Sequence, residues 1–314
     1  MRSISRGLAA LLLFACASPL MAAEEALDWL QRMHLAASQP LQGSFVYERA
    51  GSFSTHNVWR QVDARGQLLE RLLQTDGAPL EQVRADGRLL CSSSLHTSDL
   101  ALPVLADVQD VRGLTDWYAV QVLGSTRVAS RTVTVIGLKP RDAFRYAHEL
   151  YLDSHTGLLL KALMINERNH LLERFQFVEL SDQAPSLIAL QGSSACLGQP
   201  GPSAELQALS PGWHAGWLPG GFRQIGAHQR KVGEDWVEVV VYGDGLARFS
   251  LFVEPVDQQL ASGLQAQLGP TLALSRVLER GQEQPLLVTL IGEIPTAAAE
   301  RILAGVELLP VTAP

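Results

Sequence analysis

Eight histidines, three cysteines and a scatter of serines and carboxylates are the residues of this chain that could do chemistry. His34, His56, His96, His148, His155, His170, His214 and His228 include no H-E-x-x-H and no tight pair on one face, so they do not spell a zinc site. His148 and Glu149 are neighbours, and a strand would send them to opposite faces. The nearest serine–histidine grouping, Gly51 to His56, suits the polar tip of a hairpin better than a triad, and no G-x-S-x-G elbow occurs. Gly243-Asp244-Gly245 reads as a hairpin turn, not a phosphate loop. Carboxylates are spread without a visible pair. The reading is of a non-enzyme with no catalytic, metal or cofactor-binding residues.

The cysteines say more about compartment than about catalysis. Arg2 and Arg6, the apolar run Leu8 to Ala15, and Met21-Ala22-Ala23 after Pro19 make residues 1–23 a secretory signal. Leu13-Phe14-Ala15-Cys16 also resembles a lipoprotein cleavage box, although Phe14 fits it poorly. No apolar stretch reaches membrane-spanning length, so a mature protein that is exported, soluble and acidic is expected. Loss of the signal removes Cys16 and leaves Cys91 and Cys196. In an oxidising compartment these form either one disulfide or two separate buried thiols. No C-x-x-C is present. A net charge of −7 gives no basic footprint for nucleic acid.

The elements that would position these residues divide the 314-residue chain in two. Glu24 to Ser38 reads as a helix with one apolar stripe: Leu27, Leu30, Met33 or His34, and Ala37. From there to residue 180 the pattern is strand after strand, beginning with a hairpin at Gly43 to Trp59 and punctuated by turns such as Asp86-Gly87. Ser93 to Gly113 breaks the pattern as a long loop with short helical pieces. Residues 181–211 form a linker rich in Pro, Gly and Ser, and 212–311 form a smaller α+β domain with a helix near Ala297 to Ala304. The fold class is α+β, mainly β: a large curled antiparallel sheet, then a second domain. Aromatic residues on the sheet are either ordinary core or the lining of an apolar pocket.

Six stretches in order carry a resemblance: GSFVYERAGSFSTHNVW at 43–59, RLLQTDGAP at 71–79, residues 128–177, WLPGGF at 217–222, YGDGLARFSLFVEP at 242–255 and IGEIPTAAAERI at 291–302. Together they resemble the periplasmic sigma-E regulatory family called RseB, or MucB in pseudomonads. Ala147, Tyr151 and Leu159 depart mildly from the family pattern.

The resemblance implies a domain at 24–180 similar to the lipoprotein carriers LolA and LolB, a half-open β-barrel with helices in its mouth. It implies a negative regulator of an envelope-stress sigma factor. The partner is the periplasmic segment of a single-span anti-sigma factor of the RseA/MucA type, shielded from site-1 cleavage until a lipid or lipopolysaccharide signal intervenes. In pseudomonads the output includes alginate genes. On this reading Phe45, Tyr47, Trp59 and Tyr146 are candidates for a lipid pocket. Tyr242, Arg248, Phe249 and Phe252 are candidates for partner binding, and a Cys91–Cys196 bond would fix the linker. A lipid or lipoprotein carrier is the alternative function, and a homo-oligomer is left open.

Overall fold

In the computed structural model the described residues are 19–77, 80–94, 111–181, 183–198, 211–232, 235–256, 263–280 and 283–309. Most of the signal sequence and most of the irregular region expected at Ser93 to Gly113 lie outside them.

The leading helix α1 (Pro19–Ala36) starts five residues before the expected Glu24. It buries Ala26, Leu30, Met33 and Ala36, a stripe at three- and four-residue spacing. Met33 takes the inward position and His34 is exposed. Arg32 ties the helix down by donating to the carbonyls of Ser154 (3.2 Å) and His155 (3.1 Å).

Ten strands follow: β1 (Leu41–Arg49), β2 (Ser52–Val62), β3 (Leu68–Gln74), β4 (Glu81–Ala85), β5 (Arg88–Ser92), β6 (Tyr118–Val128), β7 (Arg131–Pro140), β8 (Ala147–Asp153), β9 (Leu159–Ile165) and β10 (Leu171–Ser181). A single helical turn, α2 (Leu114–Trp117), precedes β6. With the short β11 (Leu197–Gly198) they form one antiparallel sheet in the order β11-β5-β4-β3-β2-β1-β10-β9-β8-β7-β6. The meander read from the sequence therefore holds, with β10 returning to pair with β1.

The sheet curls around α1. Ala26, Leu30 and Met33 pack on Tyr118, Ile136, Leu138, Leu150 and Leu152. Its end, at Ala36, packs on Leu41, Phe45, Val58, Phe175 and Phe177. The concave face is thus filled by a helix and interlocked side chains.

The first hairpin turns tightly at Ala50 (φ 52°) and Gly51 (φ 75°). Both residues are left-handed, as a two-residue turn matched to strand twist requires. His56 is consequently not at a polar tip. It sits mid-strand, buried and stacked on Phe45 with centroids 4.9 Å apart.

The segment expected as linker is structured over 183–198. A 3₁₀ turn at Leu187–Leu190 lies against the outer face of β2 and β3, and β11 pairs with β5. Arg71 donates to Glu81 (2.7 Å) and to the carbonyl of Ala189 (3.0 Å). The Ser193 amide and hydroxyl both donate to Glu81. Burial pushes the Glu81 carboxyl up, but these donors outweigh it and hold it below its ordinary value. Cys91 and Cys196 are bonded. Residues 183–198 therefore form a strap over the sheet.

The second domain is a six-stranded antiparallel sheet. A short pair, β12 (Trp213–Ala215) with β19 (Val306–Leu308), lies beside it. The strands of the main sheet are β13 (Arg223–Val232), β14 (Asp235–Gly243), β15 (Arg248–Pro255), β16 (Gln265–Leu268), β17 (Thr271–Arg280) and β18 (Glu283–Gly292), in the order β13-β14-β15-β18-β17-β16. Helix α3 (Thr296–Ala304) covers one face, burying Ala298, Ala299, Ile302 and Leu303 against Val240, Tyr242, Phe249 and Leu251.

Candidate functional site

Charged side chains meet where the two domains touch. The side chain of Arg145, two residues before β8, is wholly buried, as is that of Asp244 in the β14–β15 turn. The Arg145 Nε donates to Asp244 Oδ2 at 2.6 Å, and the Tyr118 hydroxyl donates to the same oxygen at 3.2 Å. The guanidinium also donates to Asp142 and to the Gly220 carbonyl. It lies beside the rings of Trp117 (5.3 Å) and Phe222 (5.1 Å). Asp244 Oδ1 meanwhile accepts from the amides of Leu246 (2.9 Å) and Ala247 (2.7 Å), which shapes its own turn. Every lone pair in use faces a donor, as a buried carboxylate requires. Gly220 and Gly221 lie against the Trp117 indole, and a Cβ on either would overlap that ring. The sequence motif Gly243-Asp244-Gly245 is a hairpin turn as read, and also half of an interdomain bolt.

A second, more exposed contact lies at the end of β1. Arg49 donates to Glu173 (2.6 Å) and Glu293 (2.8 Å) and to the Thr271 hydroxyl (3.1 Å). Burial, then the charge of Glu173, holds the Glu293 carboxyl above its ordinary range. Tyr47 shares this corner, its hydroxyl pushed up by burial and by Glu173.

Between the bolt and the hairpin after β9 lies a cavity of about 1000 Å³, walled by both domains. His148, Lys139, Tyr146 and the start of α3 line it. Tyr146 is buried, and its hydroxyl donates to the Ile294 carbonyl at 3.2 Å; burial pushes that hydroxyl up to about 12. His148 is 8% exposed. Burial lowers it to about 4, partly offset by the charge of Asp244.

A folded value below the unfolded one means that the unfolded chain binds more protons between the two values. The contribution of His148 is therefore complete above about 6.5 and is lost as pH falls toward 4. A lowering of that size corresponds to roughly 3 kcal/mol. His56 is lowered as well, so the diagnostic quantity is a difference. The gap in urea midpoint between wild type and His148→Leu should narrow or reverse as pH drops from 7 to 4.5. A constant gap would assign the acid sensitivity elsewhere.

The residues expected to line a lipid pocket do not converge. Phe45 is core, packed on Phe175 (5.0 Å) and Phe177 (5.9 Å). Tyr47 shares its strand face but lies at the domain corner. Trp59 alternates to the outer face, under the guanidinium of Arg71 at 4.9 Å. Tyr146 belongs to the interdomain contact. Among the partner-binding expectations, Tyr242 and Phe249 stack at 5.1 Å beneath α3 and are buried, so neither reaches a partner in this conformation. Phe252 is half-buried on the opposite face, and Arg248 is exposed. Period-two alternation produces these outcomes: an apolar strand with two covered faces gives no sign of which face is free. Arg145 and Asp244 were missed because neither carries a local signal.

Among the described residues no cluster of three His, Cys, Asp or Glu side chains could hold a metal ion, and no helix is long and apolar enough to cross a membrane.

The family model described as the MucB/RseB N-terminal domain matches residues 25–194, and the MucB/RseB C-terminal domain matches 207–307. The chain belongs to the MucB/RseB family. It is 42% identical over 296 residues to the sigma factor AlgU regulatory protein MucB of Pseudomonas aeruginosa, covering 92% of this chain and 93% of that one. It is 25% identical over 298 residues to the sigma-E factor regulatory protein RseB of Escherichia coli K12, covering 88% and 89%. Among solved structures it resembles MucB in complex with MucA(peri), with a TM-score of 0.78 at 40% identity, covering 91% of this chain and all of that one. The similarity to a second structure, a crystal structure of MucB, has a TM-score of 0.66 at 39% identity, covering 91% and 98%. The family's mainly-β, two-sheet architecture is the one found here.

Proposed function

We propose that this chain is a periplasmic negative regulator of an envelope-stress sigma factor. It binds the periplasmic segment of a membrane-spanning anti-sigma factor and shields that segment from the first proteolytic cut. It acts by binding and not by catalysis. The observation that carries the reading is similarity across both domains to a MucB solved with MucA(peri). The leader at 1–23 supports export.

Release by lipid then takes the form of linkage: a lipid that prefers the unbound regulator weakens the segment's binding by the same factor. Because α1 fills the concave face, an acyl chain entering there must displace helix contacts such as Leu30 and Ala36. The test is capture of the anti-sigma periplasmic segment on immobilised protein, with and without lipid A. Binding that lipid A reduces is the expected result. No capture would overturn the regulator reading, and capture indifferent to lipid A would remove the lipid arm alone.

A further inference from the structure

One guanidinium serves two carboxylates where the end of β1 meets the second domain. A single terminal nitrogen of Arg49 donates to Glu173 of its own domain at 2.6 Å and to Glu293 of the other at 2.8 Å. Its Nε gives Glu173 a second bond at 3.0 Å, and its remaining nitrogen donates to the Thr271 hydroxyl. The β16–β17 turn is tucked under the same side chain, since a Cβ on Gly269 would lie 2.7 Å from the Arg49 Cγ. The two acids are thus held side by side across the interface, Glu173 at 9% exposed and Glu293 at 35%.

Groups from each element packed on Glu293 set its charge. β1 brings Arg49 and the Tyr47 phenol, β10 brings Glu173, and β15 brings Arg248, which is exposed. The Tyr146 phenol, just before β8, feels Glu293 as well. Burial pushes both phenols up, so they are neutral at ordinary pH. Of the two acids Glu293 holds one bond from Arg49 and Glu173 holds two, so Glu293 is the one that gives way. Undocking separates the carboxylates and returns Glu293 to water. The docked state therefore has the firmer hold on a proton there, in keeping with the raised range of that carboxyl.

We propose that interdomain closure is proton-linked at this corner: Glu293 takes a proton from solvent as the β18–α3 junction seats against β1 and β10, so acid draws the domains together and neutral solution loosens them. The resulting carboxylic acid still accepts from Arg49 and turns an O–H donor toward Glu173. An ordinary ion pair predicts the opposite sign, because protonating Glu293 would then weaken its bond across the interface. The linkage is complete below about 4.5, the ordinary value for this carboxyl, and is lost as pH rises through the docked-state value. Its consequence falls on the interdomain cavity. Leu172 and Gln267 line that cavity and flank the Gly269 turn, so closure at this corner narrows it.

The test uses the full chain with spin labels on Ile188→Cys and Leu264→Cys, one exposed position in each domain. The native cysteines are bonded and do not take the label. Pulsed dipolar spectroscopy reads the distance between the labels at about pH 7.5 and about pH 5, which spans the range in which the carboxyl exchanges its proton. The longer-distance fraction should shrink on acidification, by at most about tenfold for each unit by which docking raises Glu293. Glu293→Gln keeps the acceptor and the donor of the protonated acid, so it should show the short distance at both pH values. Arg49→Met removes the shared cation. It should enlarge the long-distance fraction at the higher pH and steepen its decline in acid. His148 loses its contribution in acid in every variant, so its effect cancels in the comparison. A wild-type distance that ignores pH, or lengthens in acid, overturns the proposal. So does a pH response that survives intact in Glu293→Gln.

Discussion

Replacing Arg145 with alanine should cost about 3–5 kcal/mol, the usual penalty for leaving one partner of a buried ion pair uncompensated. Arg145 and Asp244 have no exposed side-chain surface, so water cannot replace the lost guanidinium. Asp244 keeps the Tyr118 hydroxyl and two backbone amides, which places the cost toward the lower end of that range. The defect should be interdomain. Urea unfolding followed separately in each domain should change from one shared transition to two. Arg145→Met combined with Asp244→Asn should recover much of the stability, because the charge is removed along with its partner. An Arg145→Ala chain that still unfolds as one unit within about 1 kcal/mol of wild type would show that Trp117 packing on Gly220 and Gly221 holds the domains by itself.

Removing the Cys91–Cys196 bond by paired alanine substitution should cost about 3–5 kcal/mol. The two residues are 105 apart in sequence, and closing a loop of that length constrains the unfolded chain strongly in the entropic account. The loss should also appear locally. Hydrogen exchange at Ala189, Gln191 and Ser193 should rise well before that of β3 or β4, because the strap opens without the sheet. A loss below about 1 kcal/mol with unchanged exchange would mean that the Glu81–Arg71–Ser193 network suffices to seat the strap.

The meander was legible because its turns are local. Asp86 (φ 48°) and Gly87 (φ 77°) adopt the turn their types announce. The leading helix was legible from its stripe. Three kinds of feature were not. Face assignment failed at Trp59, because Arg71 and the strap make the outer face as hospitable to an indole as the inner one. The opposite error occurred at Tyr242 and Phe249, where aromatic residues in a quoted stretch suggested a contact surface but serve as the bed of α3. The bolt was invisible because Arg145 and Asp244 are 99 residues apart. Each alone reads as an ordinary polar loop residue, and their value lies entirely in the pairing. The β16 strand and the β12–β19 pair were missed because they are short and, at Gln265–Leu268, exposed throughout.

The strap also sets the length of a leash. With residues 183–198 fastened to the first sheet, the covalent run between the domains is counted from Gly198 to Trp213 and no longer from Ser181. That is about half the span, worth roughly 0.6 kcal/mol of closure entropy. If the Arg145–Asp244 contact opens, the second domain stays at a two- to threefold higher local concentration around its docking face than a full-length tether would allow. Reduction of one bond would thus slow their re-docking without altering a single contact between them.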